Sequence, residues 1–156
     1  MIEVNITQKM VIAAHKKSTE MGKLNKSITR GQGNMAGFLG EQIALSVLGG
    51  EWYNTYEYDL ILEDGTKVDV KTKRTSVKPL DYYDCSIAKL NTKQDCDRYA
   101  FVRVKNDLSV GWYLGWKDKM EYFDEARFLK KGDKDGDNGF IVKSDCYNLQ
   151  IKELNE

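Results

Sequence analysis

Residues 57–74 read EYDLILEDGTKVDVKTKR, and this stretch decides the fold that the sequence predicts. Apolar residues alternate with polar ones on both sides of an Asp-Gly turn signal, a pattern typical of a β-hairpin. If residues 63–65 form the loop, Gly65 stands third, where a type I turn with a following bulge requires a positive φ. That loop pairs Leu60 with Val68.

Two loop lengths compete, and they place the charged residues differently. A two-residue turn would set Asp59 opposite Val70 and send Asp69 to the other face of the sheet. The three-residue loop instead sets Asp59 opposite Asp69, with Cβ atoms about 5 Å apart. It also gathers apolar side chains on one face, whose burial at about 25 cal/mol per Å² stabilises the hairpin by several kcal/mol. We therefore predict the three-residue register, with an apolar face formed by Leu60, Leu62, Val68 and Val70.

Asp59 and Asp69 would then face one another, which a hairpin serving stability alone would avoid because like charges repel. A divalent cation between them removes the conflict, and carboxylate and carbonyl oxygens are the ligands that Mg²⁺ prefers. Lys71 lies on the same side of the strand as Asp69. From the spacing alone, the alternative is a charged surface hairpin whose acids are screened by Lys67 and Lys71.

A glutamate on the preceding helix supplies a third acid. We predict this helix from Asn34, as the N-cap, to a Gly-Gly pair at its end. Gly37, Gly40 and Ala44 are small residues on the face that carries Glu41. Two glycines inside a helix cost about 1 kcal/mol each relative to alanine, so a close approach of this face to the sheet is the expected compensation. The alternative is ordinary helix–sheet packing with Glu41 at the rim.

Glu41 on a helix, followed by Asp59 and by the D-x-K triplet at 69–71, resembles the PD-(D/E)XK nuclease superfamily, which has the restriction-endonuclease-like fold. The resemblance covers about residues 34–105. It departs from the family pattern at Tyr58, where the family has a proline. It also departs after the D-x-K strand, where the family usually has a helix and this chain reads as extended.

The resemblance implies a role for each of these residues. Asp59 and Asp69 would bind Mg²⁺, or Mn²⁺ in its place, together with the backbone carbonyl of Val70. Glu41 would hold the metal directly or through water. Lys71 would orient or deprotonate the attacking water, while the metal lowers the pKa of that water and stabilises charge on the phosphate.

Basic residues near this set are candidate DNA contacts. Lys73 and Arg74 continue the strand and would reach flanking phosphates, although solvated charges at a strand end are the alternative. The polar, glycine-bearing stretch at 25–33 reads as a mobile loop that would close over DNA. The phosphate contacts expected there are Lys23, Lys26 and Arg30.

The composition excludes several other classes of protein. The chain has 156 residues, of which 41% are hydrophobic and 11% aromatic, so a disordered chain is excluded. Its three cysteines form no C-x-x-C pair, which argues against a disulfide framework or a zinc site and fits a reducing cytosol. No apolar run approaches the length that spans a membrane. We expect a cytoplasmic protein that acts on DNA and has no membrane partner.

The formal net charge is zero, but the charges are unevenly distributed. Residues 1–30 and 67–105 are basic, whereas residues 31–66 hold six acids and no Lys or Arg. Two basic borders beside an acidic centre would suit a polyanion that is held near a cation site. Ordinary solvated faces are the alternative.

The order of predicted elements indicates an α+β or mixed α/β layer fold, with a central mixed sheet flanked by helices. We expect one domain over residues 1–156, with its core at about 34–116, an N-terminal helix at 5–22, and a C-terminal helix and strands at 118–153. The predicted strands are 51–62, 66–73, 82–90, 98–105, 110–116, 139–143 and 147–153, and the last helix is 118–130.

Two further features would suit other functions, but neither meets the requirements of the site concerned. Residues 133–139 (DKDGDNG) imitate the start of an EF-hand calcium loop, but Asn138 stands where that loop needs glycine and Ser144 where it needs glutamate. His15 is the only histidine and lies in a basic helical segment, so we predict a surface residue. Because this one histidine is predicted at the surface, no other is left to serve a serine or cysteine triad.

The sequence therefore predicts a Mg²⁺-dependent DNA endonuclease of the homing or phage type, a metal-dependent deoxyribonuclease that hydrolyses phosphodiesters. A Holliday-junction resolvase of the same superfamily is one alternative. A non-catalytic DNA-binding module with a nuclease-like fold is the alternative from another class. One site cuts one strand, so a double-strand cut or the resolution of a junction would require a homodimer.

Overall fold

A computed structural model describes residues 1–21, 34–53, 55–135, 139 and 141–156 of the chain. The helices are α1 (Gln8–Met21), α2 (Asn34–Leu48) and α3 (Lys119–Glu125). The strands are β1 (Ile2–Asn5), β2 (Glu51–Trp52), β3 (Leu60–Ile61), β4 (Lys67–Thr75), β5 (Asp84–Ala88), β6 (Arg98–Lys105), β7 (Val110–Asp118), β8 (Arg127–Leu129) and β9 (Cys146–Gln150). Two 3₁₀ helices, Lys89–Lys93 and Ile151–Glu153, complete the described elements. The predicted α+β class is confirmed.

Six strands form a central sheet in the order β1-β7-β6-β4-β3-β2. Strands β4 and β6 pair in parallel, and the other neighbouring pairs are antiparallel, so this sheet is mixed, as predicted. A second, antiparallel sheet has the order β5-β9-β8. Among the described helices, none is long and apolar enough to cross a membrane.

The central sheet is covered on both faces, because alternate residues of its strands point to opposite sides. On β6, Ala100 and Val102 pack in the core beneath helices α1 and α2. Tyr99 and Phe101 pack on the other side, in a core shared with α3 and the second sheet. Tyr122 of α3 stacks on Phe101 there, with ring centroids 5.6 Å apart. Asp69 in the first half of β4 is therefore buried, whereas Lys73 and Arg74 near its end are exposed.

The predicted hairpin register is confirmed at the pair Leu60 and Val68. Both side chains are fully buried, and the remaining two members of the predicted apolar face belong to the same core or pack against it. Gly65 has a φ of 85° and donates its N–H to the carbonyl of Leu62 at 2.9 Å, as the three-residue loop requires. Burial of the apolar face therefore selects the loop length, as expected from the pattern.

The prediction of one strand over residues 51–62 is wrong, because this segment folds back on itself. Strands β2 and β3 pair with each other, with Glu51 opposite Ile61. The Thr55 hydroxyl accepts the N–H groups of Glu57 (3.2 Å) and Tyr58 (3.0 Å), and it donates to the carbonyl of Tyr58. A threonine that bonds its own neighbours in this way replaces the strand ladder with a turn.

Differences at the two ends of the chain have a common cause, which is pairing with distant strands. The first predicted helix begins at Gln8 because residues 2–5 form β1, which pairs with β7. The last predicted helix ends at Glu125 because residues 127–129 form β8 and pair with β9. Of the predicted strand 139–143, the described residues show an isolated bridge between Lys134 and Ile141. The predicted strand 147–153 is β9 followed by a 3₁₀ turn.

The segment after the D-x-K strand is extended, as predicted. After β4 the chain leaves the central sheet, and β5 belongs to the second sheet. The chain then returns through a 3₁₀ helix to β6. No α-helix therefore stands between the parallel strands β4 and β6. The three cysteines are free thiols, two of them buried.

Helix α2 approaches β4 most closely at one glycine. A Cβ built on Gly40 would lie 1.9 Å from Oγ1 and 2.9 Å from Cβ of Thr72, whereas nothing lies within 4 Å of a Cβ on Gly37. The close approach predicted for this helix is therefore made at Gly40 and not at Gly37. It places Glu41, the next residue, at the sheet.

We expect Gly40→Ala to destabilise the protein by about 1–3 kcal/mol, because the added methyl group forces α2 away from Thr72. Gly37→Ala should stabilise it by up to about 1 kcal/mol through helix propensity alone. Urea denaturation of both variants measures the difference. Equal stability of the two variants would contradict the packing described at Gly40.

Candidate active site

The hairpin brings two acids together beside the first half of β4, and Asp69 lies on the face of the strand opposite Val68 and Val70. Asp69 lies on β4 and is 4% exposed, and Asp59 directly precedes β3 and is 8% exposed. The ladder ends at Leu60, and Asp59 donates its N–H to the carbonyl of Val68 at 2.9 Å. Its Oδ2 accepts the N–H of Val70 at 2.7 Å. The Asp59 carboxylate therefore continues the hydrogen bonding of the hairpin beside Asp69.

Lys71 lies two residues after Asp69 on the same face of β4. Its Nζ is 2.6 Å from Oδ2 of Asp69 and donates to Oε1 of Gln94 at 2.9 Å. The Gln94 amide in turn donates to Oδ1 of Asp69 at 2.8 Å and to the carbonyl of Tyr56 at 2.7 Å. Gln94 thus fixes the acid and the lysine relative to each other.

Glu41 reaches this region from helix α2. It is 7% exposed, and its Oε2 accepts a hydrogen bond from Nε1 of Trp52 at 2.6 Å. The Trp52 ring packs edge-on against Phe38, and Nζ of Lys17 lies 5.1 Å from a ring centroid of Trp52. Strand β2 and helix α1 therefore form the wall behind the Glu41 carboxylate.

Burial raises the pKa of all three acids. The pKa of Glu41 rises to about 7, through burial first and also through the charge of Asp69, against the hydrogen bond from Trp52. The pKa of Asp59 is raised well above its usual range by burial and then by the charges of Glu41 and Asp69. At Asp69 burial outweighs the opposing attraction of Lys71, so its pKa is also raised. The acids are close enough to repel one another, and Lys71 compensates them only in part.

The donor set fits a hard divalent cation, which prefers carboxylate oxygens. Within the described residues, no three His, Cys, Asp or Glu side chains already form a metal-binding group. Each acid instead has one carboxylate oxygen that accepts a hydrogen bond from a protein N–H group. The second carboxylate oxygen of Asp69 is buried. That oxygen, Oδ2, lies 2.6 Å from the Lys71 ammonium. A cation at Asp69 would therefore take the place that Lys71 holds in this structure.

Three residues of the site were not predicted from the sequence. Gln94 follows a 3₁₀ helix and is 25 residues from Asp69, Trp52 precedes the hairpin, and Lys119 starts α3. Lys119 donates to the carbonyl of Gln94, and its charge favours the ionised form of Asp69. The burial of Gln94 could not be predicted from the sequence, because its hydrogen-bond partners belong to distant elements and no local apolar pattern surrounds it.

The candidate DNA contacts separate into three groups. Lys73 lies on the same face of β4 as Lys71, with its ammonium 2.7 Å from Oγ of Ser86. Arg74 points to the opposite face and donates to the carbonyl of Asn106 at 2.8 Å. The remaining three candidates lie outside the described residues and are Lys23, Lys26 and Arg30.

The two weaker motifs are not part of this site. Asp135, the third residue of the EF-hand-like stretch, is buried with its Oδ1 3.7 Å from Arg127. Asp137 of the same stretch lies outside the described residues. His15 is exposed on α1, as predicted.

No protein-family model matches this chain, and no curated protein matches it. The chemistry of the site is therefore inferred from its own side chains.

The raised pKa of Glu41 makes stability depend on pH. The unfolded chain loses this proton near the ordinary value of 4.5 and the folded protein near 7, so the unfolded state is favoured as pH rises between them. In EDTA, Glu41→Gln should remove this decrease in stability with pH. The free energy of unfolding at about pH 8 should then be higher than that of wild type by up to roughly 3 kcal/mol. Urea denaturation across this pH range measures it.

Glu63→Gln, on the exposed hairpin loop, is the matched control and should leave the pH dependence unchanged. If the free energy of unfolding changes equally with pH in wild type and Glu41→Gln, the pKa of Glu41 is not raised by folding and the prediction is wrong.

Proposed function

We propose that this protein is a Mg²⁺-dependent DNA endonuclease with a restriction-endonuclease-like fold, acting on phosphodiesters. One observation carries the proposal: Glu41, Asp59 and Asp69 are buried together beside the ammonium of Lys71. Burying three acids that repel one another destabilises a fold, so such a cluster is expected where a function requires it. Clusters of acids with perturbed pKa values are typical of catalytic sites.

The metal would be held by Asp59, Asp69 and the carbonyl of Val70, with Glu41 as a direct or water-mediated ligand. When bound, the ion would lower the pKa of water and offset the charge that develops on the phosphate. Mn²⁺ would substitute, since its preferred oxygen ligands are the same.

Lys71 would provide the second positive charge on the reacting phosphate and orient the attacking water. Its position depends on Gln94, which accepts from Lys71 and donates to Asp69. Release of Lys71 from Asp69 by a bound cation would leave the ammonium tethered through Gln94. It would then be directed towards substrate and not towards a carboxylate.

The direct test is the nicking of plasmid DNA with Mg²⁺, compared with EDTA. We expect wild type to convert supercoiled plasmid to the open circle only with the metal. Asp69→Asn and Lys71→Met should each lower the rate by roughly a hundredfold or more, because each removes charge stabilisation at the reacting phosphate.

Matched controls come from the same hairpin. Asp64→Asn at the exposed loop and Lys67→Met at the half-buried start of β4 remove one charge each outside the site and should retain the wild-type rate. Duplex, flap, four-way-junction and single-stranded DNA should be tried in parallel. Failure of wild type to cut any of them with Mg²⁺ or Mn²⁺ would leave the non-catalytic DNA-binding module as the better account.

Metal binding has a readout that does not involve cleavage. Mn²⁺ should raise the thermal unfolding temperature of wild type, because a ligand that binds only the folded state stabilises it. The shift should grow as pH rises through about 7, since Glu41 must lose its proton to accept a cation. Asp59→Asn and Asp69→Asn should abolish the shift in a differential scanning experiment. A shift that persists in both variants would locate the metal elsewhere.

A further inference from the structure

A cleft of about 550 Å³ lies where the central sheet meets the second sheet. Lys73 of β4 and Arg103 of β6 form part of its wall, and Tyr82, Tyr83 and Asn148 line it as well. Its volume is in the range of pockets that bind small ligands.

Two cations stand side by side in this cleft. Lys73 and Arg103 are direct neighbours in the parallel register of β4 and β6, and they share one face of the sheet. Lys73 donates to Oγ of Ser86 at 2.7 Å, and Arg103 donates to the carbonyl of Asp84 at 2.9 Å. Among the described residues neither of them forms an ion pair with a carboxylate. Like charges at neighbouring positions destabilise a sheet, and an anion between them would remove that conflict.

The acids of the cleft are compensated by another residue. Oδ1 of Asp84 lies 3.0 Å from Arg127, and Oδ1 of Asp135 lies 3.7 Å from the same guanidinium. Burial and a hydrogen bond between the two carboxyl groups raise the pKa of Asp84 to about 6. Arg127 therefore offsets part of their negative charge. Lys73 and Arg103, together with Lys143, are positive charges that line the cleft.

The cleft and the candidate active site share one face of β4. A cavity of about 10 Å³ has Lys73 and Arg103 in common with the cleft and is also lined by Lys71. Along β4, Lys73 lies about 13 Å beyond Asp69, at roughly 3.3 Å per residue. A ligand with phosphates on a flexible backbone would therefore contact both places at once.

The mouth of the cleft carries an aromatic side chain suited to an unpaired base. Tyr82 is 51% exposed and packs edge-on against Tyr83, with ring centroids 5.3 Å apart. Aromatic side chains beside positive charges are the usual means of binding single-stranded nucleic acid, since bases stack on the rings and phosphates contact the cations.

We propose that this cleft binds an unpaired nucleotide of the DNA strand that the active site cuts, with its phosphate on Lys73 and Arg103 and its base on Tyr82. This inference rests on the proposed function and adds a substrate class, DNA that has a single-stranded segment next to the cut.

The test measures binding in EDTA, so that it is independent of cleavage. The probe is a short fluorescein-labelled oligothymidylate, followed by anisotropy over a series of salt concentrations. Lys73→Met and Arg103→Met should each weaken binding about tenfold and lower the slope of log K against log salt by about 0.7. Tyr82→Ala should weaken oligothymidylate binding while leaving the salt slope unchanged.

Lys105→Met is the matched control. Lys105 lies on β6 two residues after Arg103, pairs with Asp107 and does not line the cleft. This variant should bind as wild type does. Circular dichroism melts of all variants exclude loss of folding as the cause. Thymidine 5′-monophosphate, as competitor, separates a mononucleotide site from a strand site: the proposal requires it to compete far more weakly than the oligonucleotide.

The possible outcomes separate the two proposals. Equal affinities of wild type, Lys73→Met and Arg103→Met would overturn the cleft proposal, even if plasmid is nicked with Mg²⁺. Equal competition by the mononucleotide would overturn it in favour of a small-molecule site. Oligothymidylate binding that depends on Lys73, together with no cleavage of any DNA, would support the cleft as a strand-binding site and refute the endonuclease.

Discussion

The pairing of Leu60 with Val68 is the contact on which the rest of the structure depends. Side chains alternate along β4, so this register sends Val68 and Val70 beneath the helices and Asp69 and Lys71 to the other face. A slip of one residue would bury the charged set under α2 and expose the apolar one. The apolar core therefore fixes the position of Asp69 and Lys71.

The candidate site is assembled at the expense of stability. Three acids with raised pKa values lie between two well-packed cores. The close approach at Gly40 brings Glu41 into this set, and a residue with a side chain cannot take its place without a shift of Thr72. Strain and electrostatic repulsion of this kind are commonly tolerated where a site needs them.

Local patterns were sufficient for the elements whose stability is decided locally. The hairpin loop, the bounds of β6 and the end of α2 follow from alternation, glycine and helix periodicity within short windows. The break at Thr55 was also local, but its cause is one hydroxyl and not a periodic pattern. Strand β1, strand β8 and Gln94 could not be predicted in this way, because each owes its conformation to partners far away in the sequence.

The pairing of β1 with β7 joins residues 2–5 to residues near 110, and so it has a consequence for the order of assembly. Contacts between segments so far apart form late, since the intervening chain must be arranged before they gain any stability. Helix α1 follows β1 directly and carries Lys17, the cation beside Trp52 and Glu41. The hairpin with its two aspartates is local and can form early, whereas the wall behind Glu41 is completed only when the two ends of the sheet have met. A partly folded chain would thus hold the acids of the site without its enclosure.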